Sequence, residues 1–244
     1  GLVAFGSFLG GASPFWVQAS AHIGTFGFLT PIYLTVAHRM FPFFAGNVVA
    51  GYIPWRPLWV LGAMWALCLG HLAITLTSGY RWLWLVDIPL LGLTTMLVWR
   101  WWPRARADAQ VPALLRVLFI GLLWLPVTFS LYAIQSIGLY LNGVVLLGRA
   151  PAHALFVGFF GSVLIAMVTR VTQGHSGRPL VLPGIAAFAF VSIQGVALLR
   201  IAAEFHPGYA MQALAGLGWL LALGPWVVWA GHTYLAPRVD GKPG

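Results

Sequence analysis

Apolar residues fill seven long blocks of this chain, and the breaks between them carry most of the arginines and many of the prolines. The blocks lie at about 14–40, 57–78, 82–102, 112–137, 151–173, 180–203 and 209–235. A helix of roughly 20 residues crosses a hydrocarbon core of about 30 Å. Each block is therefore predicted to be a membrane-spanning helix. Pro112 and Pro151 open two of them, in the first turn, where the missing N–H costs nothing. Residues 1–12 are apolar and Gly-rich and read as the tail of an earlier helix. The expected fold is all-α: a polytopic transmembrane helix bundle of about seven spans, making one transmembrane domain over 1–244. No soluble domain, low-complexity run or obvious internal repeat is visible. The chain starts at Gly1 without a cleavable-signal pattern, so it reads as a fragment or processed piece of a longer protein.

Composition agrees. The chain is 60% hydrophobic and 7% charged, with mean hydropathy +0.89, against roughly 25% charged in a soluble domain. The net charge of +9 does not signal nucleic acid, because the cations are scattered singly or in pairs. Their placement instead orients the chain. Arg39, Arg56, Arg100, Arg104, Arg106, Arg116, Arg170, Arg178, Arg238 and Lys242 fall on the side reached after the first span; Arg81, Arg149 and Arg200 fall on the other. By the positive-inside rule the first side, with the C-terminus, is cytoplasmic. The expected location is the bacterial cytoplasmic (inner) membrane, with the bilayer itself as a partner. Tryptophan and tyrosine gather at span ends, as in interfacial belts: Trp55 and Trp59, Tyr80 to Trp84, Trp99 to Trp102, Trp226 and Trp229. Cys68, the only cysteine, sits mid-span and reads as packing. There is no Cys-x-x-Cys-His for covalent haem and no Gly-x-Ser-x-Gly hydrolase elbow.

Orientation sorts the histidines into two sets. His22 and His71 lie at similar depth in the outer half of adjacent spans, and His153 opens the fifth. Imidazoles converging at one depth can ligate haem iron axially, or copper; alternatively each bonds a carbonyl or water. His22 and His38 share the first span, sixteen residues apart, a rise of about 24 Å. Asp87 is the only acid deep in a span, either paired with Arg81 and snorkelling or a proton-relay carboxylate. Glu204 and His206 lie at the outer end of the sixth span, a proton entry point or a solvated turn. In the fifth span Ala154, Gly158, Ser162 and Ala166 make a smooth face for another helix or a flat macrocycle. That span runs into Arg170 and then Gly174-His175-Ser176-Gly177-Arg178-Pro179 on the inner side. This turn is either a basic anchor or an anion site able to hold a propionate.

At these residues the chain resembles the NnrS family of bacterial membrane proteins. The resemblance is carried by Phe26-Gly27-Phe28-Leu29-Thr30-Pro31 through His38-Arg39-Met40-Phe41-Pro42-Phe43-Phe44. It is carried more specifically by His153-Ala154-Leu155 through Met167-Val168-Thr169-Arg170 to Gly174-His175-Ser176-Gly177-Arg178-Pro179. The resemblance implies haem b, copper as a second possibility, and a role in handling nitric oxide or in denitrification. It also implies about twelve helices, so a chain of seven is expected to be truncated or a short relative working as a subunit of a larger respiratory or nitrogen-oxide redox complex.

The reading that results is a membrane metalloprotein. His22, His71 and His153 are its candidate metal ligands, with Arg39, Arg170, His175 and Arg178 as an inner cofactor-binding or anchoring motif. Two rivals come from other classes. One is a cofactor-free transporter, whose helices kinked at Pro31, Pro89, Pro126, Pro183 and Pro225 would line a path with Asp87. The other is an accessory or assembly subunit without a cofactor of its own.

Overall fold

The computed structural model describes residues 15–103, 111–206 and 208–241, and these form seven helical rods with no strand among them. The first, α1, joins Phe15–His22, a π turn at Ile23–Leu29, and Thr30–Val48. Next come α2 (Leu58–Leu76) and α3 (Trp84–Trp101), the latter entered through a 3₁₀ turn at Tyr80–Trp82. Then α4 joins Ala113–Leu122 to Trp124–Asn142, and α5 joins Ala150–His153, a π turn at Ala154–Gly161, and Ser162–His175. The chain closes with α6 (Gly184–Ala202) and α7 (Ala210–Leu235). Arg104, Arg106, Lys242 and the apolar stretch 1–12 lie outside the described residues.

Seven rods match the seven blocks, with longer ends: α1 runs on to Val48 and α4 to Asn142. Six of them, α2 to α7, are long and apolar enough to cross a membrane. The chain is thus a multi-pass membrane protein. The remaining rod, α1, is diluted by His22, Thr25, Thr30, Pro31, His38 and Arg39, and one of these, His22, is a candidate ligand. Several of its exposed side chains are apolar (Phe28, Ile32, Val36 and Phe43), as on a lipid-facing helix.

Proline accounts for two of the three breaks within rods. Pro126 has no N–H for the Leu122 carbonyl, and α4 is interrupted at Leu123. Pro31 likewise leaves the Gly27 carbonyl without its usual donor, inside the π turn of α1. The two π turns share a local design. Each begins directly after a histidine, His22 or His153. Gly27-Phe28 and Gly158-Phe159 follow at matching positions, and Arg39 and Arg170 match further on. The recurrence is short, and the two helices touch where the Tyr33 ring of α1 lies 4.1 Å from that of Phe160 of α5.

Helices α1 to α4 close a ring, each touching the next and α4 returning to α1. α5 packs on α4, and α6 and α7 complete the bundle beyond it. Phe41, Met64, Cys68, Leu90, Leu97, Trp101, Leu118, Phe129 and Phe159 fill the core. The smooth face of α5 is used for helix packing rather than for a macrocycle. Gly158 receives the Trp124 indole, leaving no room for a Cβ, and Ser162 lies against Gly121. Trp124 Nε1 donates to Gln194 Oε1 (2.6 Å), and Gln194 Nε2 donates to Ser162 (2.8 Å), tying α4, α5 and α6 together inside the membrane.

Candidate functional site: a polar cavity inside the first four helices

A cavity of about 290 Å³ opens inside the α1–α4 ring. Its wall includes His22 from α1, His71 and Thr75 from α2, Asp87 from α3, and Tyr132, Gln135 and Ser136 from α4. His71 is buried and its Nδ1–H donates to Asp87 Oδ1 at 2.8 Å. Phe26, in the π turn of α1, stacks on the imidazole at 3.8 Å, and Tyr132 meets it edge-on at 5.4 Å. The ring is therefore fixed in tautomer and in plane. Its Nε2 has no hydrogen-bond partner among the described residues and is the atom left for a ligand. His22 is half-buried at the same cavity and likewise without a protein partner.

Asp87 does not pair with Arg81, as one reading of the sequence held. Arg81 lies exposed and donates to the Tyr140 carbonyl at 3.3 Å, while Asp87 is fully buried against His71. The reason is geometric. His71 lies just before the end of α2 and Asp87 just after the start of α3. A tight hairpin sets these positions at one depth and turns both into the ring.

His153 is not at this cavity. Its Nε2 stands 3.3 Å from Glu204 Oε1, which also accepts from Arg200 (2.9 Å), while Glu204 Oε2 accepts from the Arg149 N–H (2.9 Å). Burial pushes the Glu204 carboxyl up, but the Arg149 N–H and the Arg200 and His153 charges outweigh it and hold the pKa below its ordinary value. Glu204 thus clamps the outer ends of α5 and α6. It is more than a solvated turn.

The two carrying segments of the sequence now have their places, in α1 and in α5 with the turn after it, and the family's sequence model, described as NnrS protein, matches residues 1–238. The chain belongs to the NnrS family. No curated protein and no solved structure matches it.

In this NnrS-family chain the inner motif lies far from the cavity. From His22 to Arg39 along α1 the rise is about 25 Å, so one cofactor at His22 and His71 does not reach it. Arg170 sits 4.1 Å over the Phe44 ring, a cation–π contact that ties α5 to α1. Arg39 is exposed. His175 is exposed beside a groove of about 560 Å³ with Ser176, Thr233, Tyr234 and Arg238. Arg178 is half-buried, and its main-chain N–H closes the turn onto the Gln173 carbonyl. His38 Nε2–H donates to the Pro57 carbonyl at 3.1 Å, fastening the loop before α2.

The cavity thus unites two of the three outer histidines and adds groups not singled out by sequence reasoning: Tyr132, Gln135, Thr75 and Ser136. The His71–Asp87 pair was accessible to hairpin arithmetic. The α4 residues carry no sequence signal, because which face of α4 enters the ring depends on rotation. Among the described residues no group of three or more His, Cys, Asp or Glu side chains is placed to hold a metal, so ligation here would use two imidazoles, with Asp87 behind one of them.

Proposed function

We propose that this chain is a membrane metalloprotein holding a redox metal at His22 and His71, as copper or haem iron, in the service of nitric oxide handling. The observation that carries the reading is the meeting of two imidazoles at one cavity, one of them braced by a buried carboxylate. A carboxylate behind a ligating histidine fixes its orientation and raises its basicity. The donor set suits a late first-row metal. A cavity of about 290 Å³ is near the lower limit for small-molecule sites, roughly 300 to 1,000 Å³. That favours copper with one small ligand over a whole haem inside the ring. Either metal supplies a one-electron centre with affinity for diatomic gases. The protein's part is to hold His71 by Asp87 and Phe26, to keep the site in an apolar ring, and to leave His71 Nε2 available.

The cation asymmetry supports a cytoplasmic C-terminus. The cavity then lies in the outer half of a bacterial inner membrane. Family membership supports the nitric oxide role, and a larger redox complex is the natural source of its electrons. The test is an optical spectrum of the purified protein, oxidised, reduced and reduced with nitric oxide, with metal quantitation on the same sample. A metal near one per chain, lost in His71→Ala, supports the reading. A colourless, metal-free preparation overturns it in favour of a transporter or accessory subunit.

A further inference from the structure

Two oxygen acceptors of this cavity have no donor. Asp87 Oδ1 accepts from the His71 Nδ1–H, but among the described residues its Oδ2 has no partner, and neither has Oε1 of Gln135 on α4. Both residues line the cavity, and Asp87 is 0% exposed. The hydroxyls beside them add acceptors. Thr75 spends its proton on the His71 carbonyl (2.8 Å) and Ser136 on the Ala133 carbonyl (3.2 Å), so both retain only lone pairs to offer. Arg81, the cation nearest Asp87 in sequence, is turned away to Tyr140. A buried polar atom left without a partner costs about 1–3 kcal/mol, and more when charged. Two of them at one cavity point to an occupant, and that occupant must donate.

We propose that the cavity binds a small protic cation of the size of ammonium. It carries two or more N–H or O–H donors, which it gives to Asp87 Oδ2 and Gln135 Oε1 beside the free nitrogen of His71. Gln135 is then the residue that selects a cation with N–H donors over one without them. The inference rests on the cavity being the ligand site, but not on which metal, if any, accompanies it.

The test uses the full chain in detergent, melted in ammonium chloride, sodium chloride or tetramethylammonium chloride at equal ionic strength. A ligand that binds only the folded state raises Tm by mass action. Ammonium is expected to raise Tm with concentration, while tetramethylammonium, which has no N–H, does not. In Gln135→Leu the apparent ammonium affinity is expected to fall at least tenfold. Gln135→Met, closer in shape to glutamine, repeats the test if the leucine variant folds poorly. Equal responses to all three salts overturn the proposal. So does a sodium response matching that of ammonium, which would mean simple cation coordination, or an ammonium response unchanged in both variants. Metal quantitation on the same samples separates the two readings. Metal retained without an ammonium response refutes this inference alone; an ammonium response without metal refutes the metalloprotein reading alone.

Discussion

Replacing Asp87 by asparagine should move metal affinity and metal-free stability in different directions. Asparagine can keep the acceptor that takes the His71 Nδ1–H (2.8 Å in the wild type) but loses the charge. A hydrogen bond to a charged group contributes about 1.5–3 kcal/mol and a neutral one about 0.5–1.5 kcal/mol, so the bond weakens by about 1 kcal/mol. Against this, Asp87 is 0% exposed and its Oδ2 is unpartnered. Asparagine removes a buried carboxylate that a single hydrogen bond offsets, and taking an ion out of water costs several kcal/mol. The metal-free variant should therefore be at least as stable as the wild type. Metal affinity should fall by about 10- to 100-fold, the usual cost of losing the group behind a ligating histidine. The assay is metal retention against a graded chelator series, paired with denaturant unfolding of the stripped protein. Unchanged metal retention would refute the bracing role of Asp87. A stripped variant destabilised by more than about 2 kcal/mol would refute the charge argument, since the weakened bond accounts for only about 1 kcal/mol.

His22→Ala and His71→Ala should each lower metal content, while His153→Ala should leave it unchanged, because His153 belongs to the Glu204 clamp; metal analysis of the three proteins decides. The Glu204 pKa is held below its ordinary value of 4.5, so its stabilisation is complete above that pH and is lost as pH falls through the lower folded value. Glu204→Gln should flatten this acid limb in a pH series of Tm, and an unchanged limb would exclude the clamp. Gly158→Ala would drive a Cβ into the Trp124 indole and strain its bond to Gln194. Overpacking costs about 1–3 kcal/mol, partly offset by up to about 1 kcal/mol of helix propensity. The midpoint of unfolding should drop, and Trp124→Leu in the same chain should restore part of it; a variant as stable as wild type would show that the indole moves freely. Arg170→Gln should loosen α5 from α1, lowering Tm without changing metal content, since Arg170 meets Phe44 and lies far from the cavity.

The residue pattern alone establishes the all-α membrane bundle and its seven rods. An apolar block of about 20 residues must satisfy its backbone internally, and a helix does so within its own residues. It also determined that α1 is unusual, since two histidines and an arginine in one span stand out against lipid. Family membership was legible as well, in the residues of α1 and of the α5 turn. Span assignment sets depth but not rotation about the helix axis. His22, His71 and His153 share a leaflet by depth, yet only packing turned the first two into one ring and gave the third to Glu204. Asp87 is the intermediate case: the α2–α3 hairpin sets it at the depth of His71, and packing turns the pair into the ring and away from Arg81. Gln135 and Tyr132 are ordinary residues on paper. They became cavity walls because α4 closes back on α1, a contact between distant parts of the chain that only the tertiary structure decides.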